Sequence, residues 1–268
     1  MLRLLERNVA TIEKRLVLVA PPNVSIPQAF SNVTNDRQRH RDLVEEMQRL
    51  RGSIYLSDGA VQPSQLTPDG LHRTPEDDRS WHLLMLNGQR KVSSCAWYLE
   101  HDDSARFEQL RVRHCALAKS DWRDKLVNAV ELELRRARQE GLRYAEVGGW
   151  AVAKQSRCTS EGLLLALAAY SLGRRMGGAL GLTTATLRHS SATILRRIGG
   201  SVLRTGERIV PPYYDPNYDC EMELLRFDSR RPNPKYDSLI ELLGSRLQNA
   251  SVIATDAPVE AAPSQAAA

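Results

Sequence analysis

Cysteines are few in this sequence, and their spacing excludes the common metal-binding patterns. The 268 residues contain four cysteines, at positions 95, 115, 158 and 220, and no two of them form a CxxC pair. A structural zinc site needs several Cys or His ligands at close spacing. The sequence therefore predicts no metal site, and it predicts four reduced thiols of the kind found in cytosolic proteins.

Long apolar runs are also absent. No run approaches the roughly 20 residues that a membrane-spanning helix requires. The first 22 residues alternate charged and apolar side chains, without the continuous apolar core of a signal peptide. We therefore expect no membrane span and a location in the cytoplasm.

Strong net charge of one sign is missing as well. Lys and Arg total 37 against 32 Asp and Glu, which gives a net charge of +5. This balance suits an anionic ligand or an acidic partner. The basic residues are interleaved with acids, and no aromatic and basic motif of an RNA-binding protein occurs. These features argue against a nucleic-acid-binding module, which is the alternative from a class other than enzymes.

Hydrophobic periodicity predicts a series of strands and helices through the middle of the chain. Asn87 and Gly88 supply a turn between two apolar runs and predict a hairpin over 80–101. The predicted elements that follow are a strand (107–117), a helix (120–142), a strand (143–153), a helix (161–177), a strand (179–187), a short helix (190–200) and two strands (200–206 and 218–228). This order is that of one α/β domain.

The flanking segments divide the chain into four parts. Residues 1–38 are predicted to be a helix over 1–19 and a loop, residues 39–230 the α/β domain, residues 231–247 one more helix and residues 248–268 a disordered tail. Near the start of the domain, Gly52 is predicted to end a charged helix before a short strand at 53–56. Residues 58–80 are predicted to be a long loop, which in compact domains is usually functional or mobile.

The junction between the strand at 143–153 and the next helix is the best candidate for a binding site. Helix N-termini expose unpaired N–H groups that bind phosphate. The loop before this helix is short, polar and cationic, with Arg157 at its entry, and Gly162 lets a ligand approach the backbone. The same composition also fits an ordinary turn. The candidate anion-binding residues are Val152, Lys154, Arg157, Cys158, Thr159, Ser160, Glu161 and Gly162.

The order of elements around this loop resembles the GCN5-related N-acetyltransferase (GNAT) superfamily. Its signature is Arg/Gln-x-x-Gly-x-Gly/Ala between a strand and a helix, and Arg157, Ser160 and Gly162 fall on the three signature positions. Ser160 replaces the usual Gly. In the following segment Leu195 replaces a Tyr that often protonates the departing thiolate, and Gly200 replaces a Phe.

A narrower resemblance, over about 39–230, is to the long-chain N-acyl amino acid synthases and acyl-homoserine-lactone synthases of the same superfamily. In that branch an early Arg-rich helix and a strand Glu shape the acceptor site, which here correspond to Arg49, Arg51 and Glu146. The homoserine-lactone synthases follow the Glu with a Ser-Arg pair, whereas this chain has Gly-Gly-Trp at 148–150. The sequence therefore favours the N-acyl amino acid synthase side.

The resemblance implies a mixed, mostly antiparallel sheet flanked by helices and a direct acyl transfer. The donor is an acyl thioester of CoA or of an acyl carrier protein, the acyl group is fatty, and the acceptor is the amine of a small molecule such as an amino acid. A short-chain acetyltransferase that acts on a small amine or a protein is the alternative within enzymes. No permanently bound cofactor is expected.

Several residues receive roles by this resemblance. Glu146 is the candidate base, acting through a water, and Tyr213 or Tyr214 the candidate proton donor to the thiolate; a solvent-facing Glu and tyrosines packed in a Pro-rich loop are the structural alternatives. Trp150 is expected in the wall of an acyl pocket. His189 stands at the family's Asn position, where it either contacts the acceptor or begins a helix.

Overall fold

A mixed sheet of ten strands runs through the centre of the protein. The computed structural model describes residues 2–255, without the side chains of residues 2–4, 13 and 189. The strands, in chain order, are β1 (Leu16–Val19), β2 (Val33–Asn35), β3 (Trp81–Leu86), β4 (Val92–His101), β5 (Arg143–Val152), β6 (Ala179–Thr186), β7 (Ser201–Val202), β8 (Arg204–Thr205), β9 (Arg208–Ile209), β10 (Tyr213–Asp215), β11 (Cys220–Asp228) and β12 (Ser251–Ala254). Strands β8 and β9 form a separate two-stranded ribbon.

Most neighbouring strands in the sheet are antiparallel. The order is β10-β11-β6-β5-β4-β3-β1-β12-β2, and β7 also pairs with β11. Parallel pairing occurs between β5 and β6, between β1 and β12, and between β12 and β2. The predicted α/β fold, with a mixed and mostly antiparallel sheet, is confirmed.

Six α-helices cover the two faces of the sheet. They are α1 (Leu2–Ala10), α2 (Arg37–Ser57), α3 (Arg123–Gln139), α4 (Glu161–Arg175), α5 (Ser191–Ile198) and α6 (Asp237–Asn249). Helices α1, α4 and α6 share one apolar core, whereas α2 and α3 pack on the opposite face. Helix α2 buries Leu43, Met47 and Ile54, whose spacing places them on one side of a helix. Within residues 2–255 no helix is both long and apolar enough to cross a membrane.

The sheet opens between β5 and β6. These two strands pair only from Arg143 and Ala179 to Val147 and Thr183. Beyond that point β5 follows β4, and β6 follows β11. The two strands thus separate toward their C-terminal ends and leave a wedge in the middle of the sheet.

A glycine pair accompanies this opening. The register between β4 and β5 shifts at Trp97, opposite Gly148 and Gly149, as in a β-bulge. Gly149 has φ +61°, and a Cβ added there would lie 2.2 Å from a ring carbon of Trp97. A Cβ on Gly148 would lie 2.4 Å from the same indole. The Gly-Gly pair therefore lets Trp97 lie flat against β5.

The segments around two of the predicted strands are helical. Helix α2 continues through Gly52 to Ser57, so the predicted strand at 53–56 is wrong. Gly52 does not end the helix; it allows the carbonyl oxygen of Gly70 to come within 2.6 Å of the position a Cβ would take. The predicted strand at 107–117 is also wrong, because three short 3-10 segments occupy Phe107–Gln109, Arg111–His114 and Ala116–Lys119.

Both ends of the described chain contribute strands to the sheet. The predicted helix over 1–19 ends at Ala10, and β1 follows it. The expected disorder from 248 onward is wrong for β12, whose Val252 and Ala254 are buried between β1 and β2. The rest of the predicted tail, residues 256–268, lies outside the described residues. Strands β1, β2 and β12 thus join the sheet from outside the predicted domain at 39–230.

The predicted strand at 200–206 is divided into β7, which pairs with β11, and β8, which pairs with β9 in the separate ribbon. The other predicted elements are confirmed. They are the hairpin β3–β4, the helices α3, α4, α5 and α6, the strands β5, β6 and β11, and the long loop at 58–80, which contains one 3-10 turn at Pro63–Gln65. Gly141 follows α3 with φ +64°, the left-handed conformation that commonly ends a helix.

Candidate functional site

A cavity of about 760 Å³ occupies the opening between β5 and β6. Trp150 and Val152 from β5 lie on one side of it, and Thr184 and Thr186 from β6 lie on the other. The volume is in the range of small-molecule sites. Because the two strands no longer bond to each other here, the cavity is lined by residues from both faces of the sheet.

One half of the cavity is apolar and lies between the sheet and α4. Small residues on α4 leave the space, since Ala166 and Ala169 face the cavity where larger side chains would fill it. The residues of this half belong to the core of that face: Ala96, Leu165, Ala166, Ala169, Tyr170 and Phe227.

The other half is polar and lies on the face covered by α2 and the 3-10 segments. Arg111 donates from Nη1 to Glu76 Oε2 at 2.8 Å, and its guanidinium lies 5.8 Å from the centre of the Trp97 ring. His72 and Tyr55 also line this half, with ring centres 5.5 Å apart. We refer to these four side chains, Tyr55, His72, Glu76 and Arg111, as the polar cluster.

Sequence reasoning missed the polar cluster. Arg111 lies in a segment that reads as an ordinary strand, so nothing in the sequence distinguishes it from a solvent-facing residue. His72 and Glu76 lie in the long loop 58–80, whose length was the available signal.

Of the two arginines predicted near the acceptor, only Arg51 lines the cavity. Its side chain is 1% exposed and donates to both oxygens of Asp77, at 2.9 and 2.7 Å. Burial opposes the charge of Arg51, but hydrogen bonds and charge from Asp77 outweigh burial and raise the pKa of Arg51. Arg49 lies apart, with a 54% exposed side chain that is 3.9 Å from Asp69.

Glu146 lines the cavity, but its carboxylate is engaged by three hydrogen bonds. Its Oε2 accepts from His101 Nε2 at 2.9 Å and from the backbone N–H of Arg111 at 2.7 Å. Its Oε1 accepts from the backbone N–H of Val112 at 2.9 Å. This geometry holds the segment that carries Arg111, and so it favours a positioning role for Glu146. The role of base stays a prediction.

The predicted anion-binding loop forms one rim of the cavity. Among its residues, Val152, Arg157, Cys158, Thr159 and Gly162 line the cavity. Arg157 Nη2 bonds Asp58 Oδ2 at 2.7 Å, at the end of α2. Cys158 adopts φ +63°, which turns the chain toward α4.

Three other residues of this loop region face elsewhere. Lys154 is exposed and lies outside the cavity lining. Ser160 Oγ accepts from Asn8 Nδ2 at 2.8 Å. Glu161 is buried at the start of α4, where it accepts from Arg15 Nη2 at 2.7 Å and Ser93 Oγ at 2.6 Å. The side chains of Ser160 and Glu161 thus attach the loop to neighbouring parts of the protein.

No protein-family model matches the chain, and no curated protein matches its sequence. The chain is similar to known proteins in its three-dimensional structure. BjaI, a CoA-dependent acyl-homoserine lactone synthase solved with SAM and isopentyl-CoA, superposes with a TM-score of 0.55 at 16% identity, over 91% of this chain and 94% of that one. The fold is that of the acyl-homoserine lactone synthases. The resemblance predicted from the sequence is confirmed at the level of the fold.

Two further solved structures resemble this chain with lower TM-scores. MesI, a CoA-dependent acyl-homoserine lactone synthase, has a TM-score of 0.50 at 15% identity, over 90% of this chain and 100% of that one. FeeM, an N-acyl amino acid synthase from uncultured soil microbes, has a TM-score of 0.45 at 13% identity, over 81% and 92%.

The aromatic candidates have different positions in this acyl-homoserine lactone synthase fold. Tyr213 is buried in the cavity wall, and burial raises its pKa. Tyr214 lies outside the lining, with 55% exposure and a hydrogen bond of 2.5 Å to Asp219. Trp150 forms part of the wall. His189 lies in a 3-10 turn at Arg188–Ser190, and its side chain is outside the described part of the chain.

Proposed function

We propose that the protein is an N-acyltransferase. It transfers an acyl group, a fatty acyl chain rather than acetyl, from a thioester of CoA or of an acyl carrier protein to the amine of a small acceptor such as an amino acid. The observation that carries this proposal is the two-part cavity, in which an apolar half and a polar half meet where β5 and β6 separate. A molecule with a long apolar chain and a polar partner fits such a shape.

The loop 154–160 and the start of α4 bind the phosphate arm of the donor in this proposal. Arg157 supplies a cation, and α4 begins next to the rim with Gly162 in the cavity lining, so the N–H groups of its first turn are expected to contribute to binding the anion. Gly162 supports this role. A Cβ added there would meet Trp150 at 3.4 Å, an ordinary contact, so packing within the protein does not require glycine. Glycine costs helix stability of about 1 kcal/mol relative to Ala, and the space it leaves is available to a ligand.

The transfer is a direct attack. The neutral amine nitrogen attacks the thioester carbonyl carbon, the C–S bond breaks, and the proton that the nitrogen loses passes through water to the departing thiolate, which is released as the thiol. The thioester is already activated, so positioning the two reactants supplies much of the rate. Tyr213 lies in the cavity wall, and in this proposal its hydroxyl donates a hydrogen bond to the leaving sulfur. Glu146 orders the segment that bears Arg111.

Thiol release from acyl-CoA tests the proposal. Purified protein is incubated with an acyl-CoA series from acetyl to dodecanoyl and a mixture of amino acids, and thiol release is measured together with the mass of new N-acyl products. We expect amine-dependent thiol release with medium or long acyl chains. Arg157→Gln is expected to raise KM for the donor about 10-fold, from the loss of a charge-assisted contact.

Arg135→Gln is the matched control, because Arg135 is an exposed arginine on α3 outside the cavity lining. It is expected to leave both kinetic constants unchanged. Thiol release from acetyl-CoA alone would favour the short-chain acetyltransferase instead. Absence of release from every acyl-CoA and from the same acyl groups carried on an acyl carrier protein, or equal effects of the two substitutions, would contradict the proposal.

A further inference from the structure

A buried guanidinium determines which nitrogen of His72 carries the proton. Arg51 Nε lies 3.1 Å from His72 Nδ1, and Arg51 also donates from Nη2 to the carbonyl oxygen of His72. An arginine N–H can only donate, so Nδ1 must offer its lone pair. The neutral ring therefore carries its hydrogen on Nε2.

The arrangement is opposite in effect to the pairing of a histidine with a carboxylate. A carboxylate would accept from the ring and stabilise the imidazolium, whereas Arg51 destabilises it. Burial and the charge of Arg51 lower the pKa of His72 to about 4, and Arg111 acts in the same direction. Asp77 and Glu76 act in the opposite direction and do not overcome these effects. His72 is therefore neutral at pH 7, and because Arg51 Nε takes the lone pair of Nδ1, the ring offers no basic nitrogen to the cavity.

The remaining ring nitrogen is free to contact a ligand. His72 lines the polar half of the cavity, and within the described part of the chain Nε2 has no hydrogen-bond partner. Arg111, also in this half, uses Nη1 for Glu76, which leaves its other N–H groups unbonded to the residues the structure describes. The neutral N–H donor of His72 and the guanidinium of Arg111 lie in the same half of the cavity, and together they are suited to bind the two oxygens of a carboxylate.

We propose that His72, locked as an Nε2–H donor by Arg51, binds a carboxylate of the acceptor together with Arg111. The inference rests on the proposed function, and it specifies the acceptor as an amine that bears a carboxylate. In this arrangement the carboxylate lies in the polar half of the cavity, in contact with two members of the polar cluster, His72 and Arg111. The amine then points to the opening between β5 and β6, where the apolar half begins.

The protonation state of His72 can be measured without any turnover. The protein is labelled with ¹⁵N-histidine, and the imidazole correlations of its six histidines are recorded by NMR between about pH 5 and about pH 8. His72→Gln identifies the signal by its disappearance. We expect the neutral Nε2–H tautomer throughout, without titration. An Nδ1–H tautomer, or a titration with a pKa near 6.5, would overturn the proposal.

A pair of amines tests the carboxylate. L-leucine and L-leucinamide present the same amine and side chain, but only leucine has a carboxylate, and octanoyl-CoA serves as the donor for both. His72→Leu is expected to raise KM for leucine by about 10-fold or more and to change KM for leucinamide little. His72→Gln, which retains an N–H donor near the position of Nε2, is expected to restore most of the affinity for leucine.

The outcomes separate the inference from the function on which it rests. If no amine of the amino-acid mixture is acylated with any donor, the proposed function fails, and the NMR measurement still decides whether His72 is an Nε2–H donor. If His72→Leu lowers kcat equally for leucine and leucinamide, the ring acts on the acyl carbonyl and the carboxylate assignment is wrong. An unchanged KM for leucine in His72→Leu would also overturn it.

Discussion

Gly52 provides a test in which helix propensity and packing predict opposite signs. Replacing glycine by alanine inside a helix normally stabilises it by about 1 kcal/mol. At Gly52 the new Cβ would lie 2.6 Å from the carbonyl oxygen of Gly70 and 3.3 Å from the backbone nitrogen of His72. The nearest atom is backbone and cannot rotate away, so the loop must shift. Overpacking of this kind costs about 1–3 kcal/mol.

We expect the upper part of that range for Gly52→Ala, which leaves a net loss of about 1–2 kcal/mol in the free energy of unfolding. Gly244 in α6 is the matched control, because a Cβ added there meets no atom within 4 Å. Gly244→Ala is expected to stabilise by about 0.5–1 kcal/mol. Urea unfolding followed by circular dichroism measures both.

The kinetic consequence of Gly52→Ala is specific to the acceptor. The shifted loop carries His72, so we expect KM for the amine to rise while KM for the acyl donor changes little. Stabilisation by Gly52→Ala to the same extent as by Gly244→Ala would refute the packing argument. Equal changes in both KM values would refute the link between this loop and the acceptor.

Three further predictions concern the donor rim, a buried histidine and the apolar half. Asp58→Asn removes the carboxylate that pairs with Arg157 at 2.7 Å, so we expect a lower KM for acyl-CoA, measured by thiol release; a higher value would mean that the pair positions the loop instead. Burial lowers the pKa of His82 to about 4, so the unfolded chain binds a proton between pH 6.5 and 4 that the folded protein excludes. Because the lowered pKa of His72 also causes a loss of stability over the same window, the contribution of His82 is taken as the difference between the parent protein and His82→Asn in urea unfolding; it is expected to be a loss of about 3 kcal/mol as pH decreases, and identical pH profiles of the two proteins would contradict this. Ala169→Phe fills the apolar half beside α4, so turnover is expected to disappear with dodecanoyl-CoA and to persist with the shortest acyl chain that the parent protein accepts; an unchanged chain-length profile would place the acyl group elsewhere.

Local patterns in the sequence predicted the part of the fold that carries the loop at the rim of the cavity. The strand, loop and helix from 143 to 175 follow from apolar periodicity and from the spacing of Arg157 and Gly162, all within one short segment. The hairpin β3–β4 and helix α3 were predictable for the same reason, since their turn and their apolar face are encoded by neighbouring residues.

Long-range contacts determine the parts that were not predictable. The segment 107–119 alternates like a strand, but the carboxylate of Glu146 takes the N–H groups of Arg111 and Val112 and so removes them from any strand pairing. From the sequence alone, Gly52 is predicted to end a helix. The reason for a glycine at this position is the carbonyl oxygen of Gly70, which lies against it and is 18 residues away in the sequence. The polar half of the cavity depends on such contacts, so neither Arg111 nor His72 could be recognised from sequence.

The position of β12 bears on how this chain folds. This strand lies between β1 and β2 and is parallel to both, although its residues come about 230 positions after those of β1. Strands β1 and β2 therefore lack their shared neighbour until nearly all of the described chain has emerged from the ribosome. Pairings of such sequence separation slow folding, because the loop-closure entropy is lost before the contacts form. The unpaired edges of β1 and β2 are then the surfaces on which a chaperone or a second nascent chain would act first.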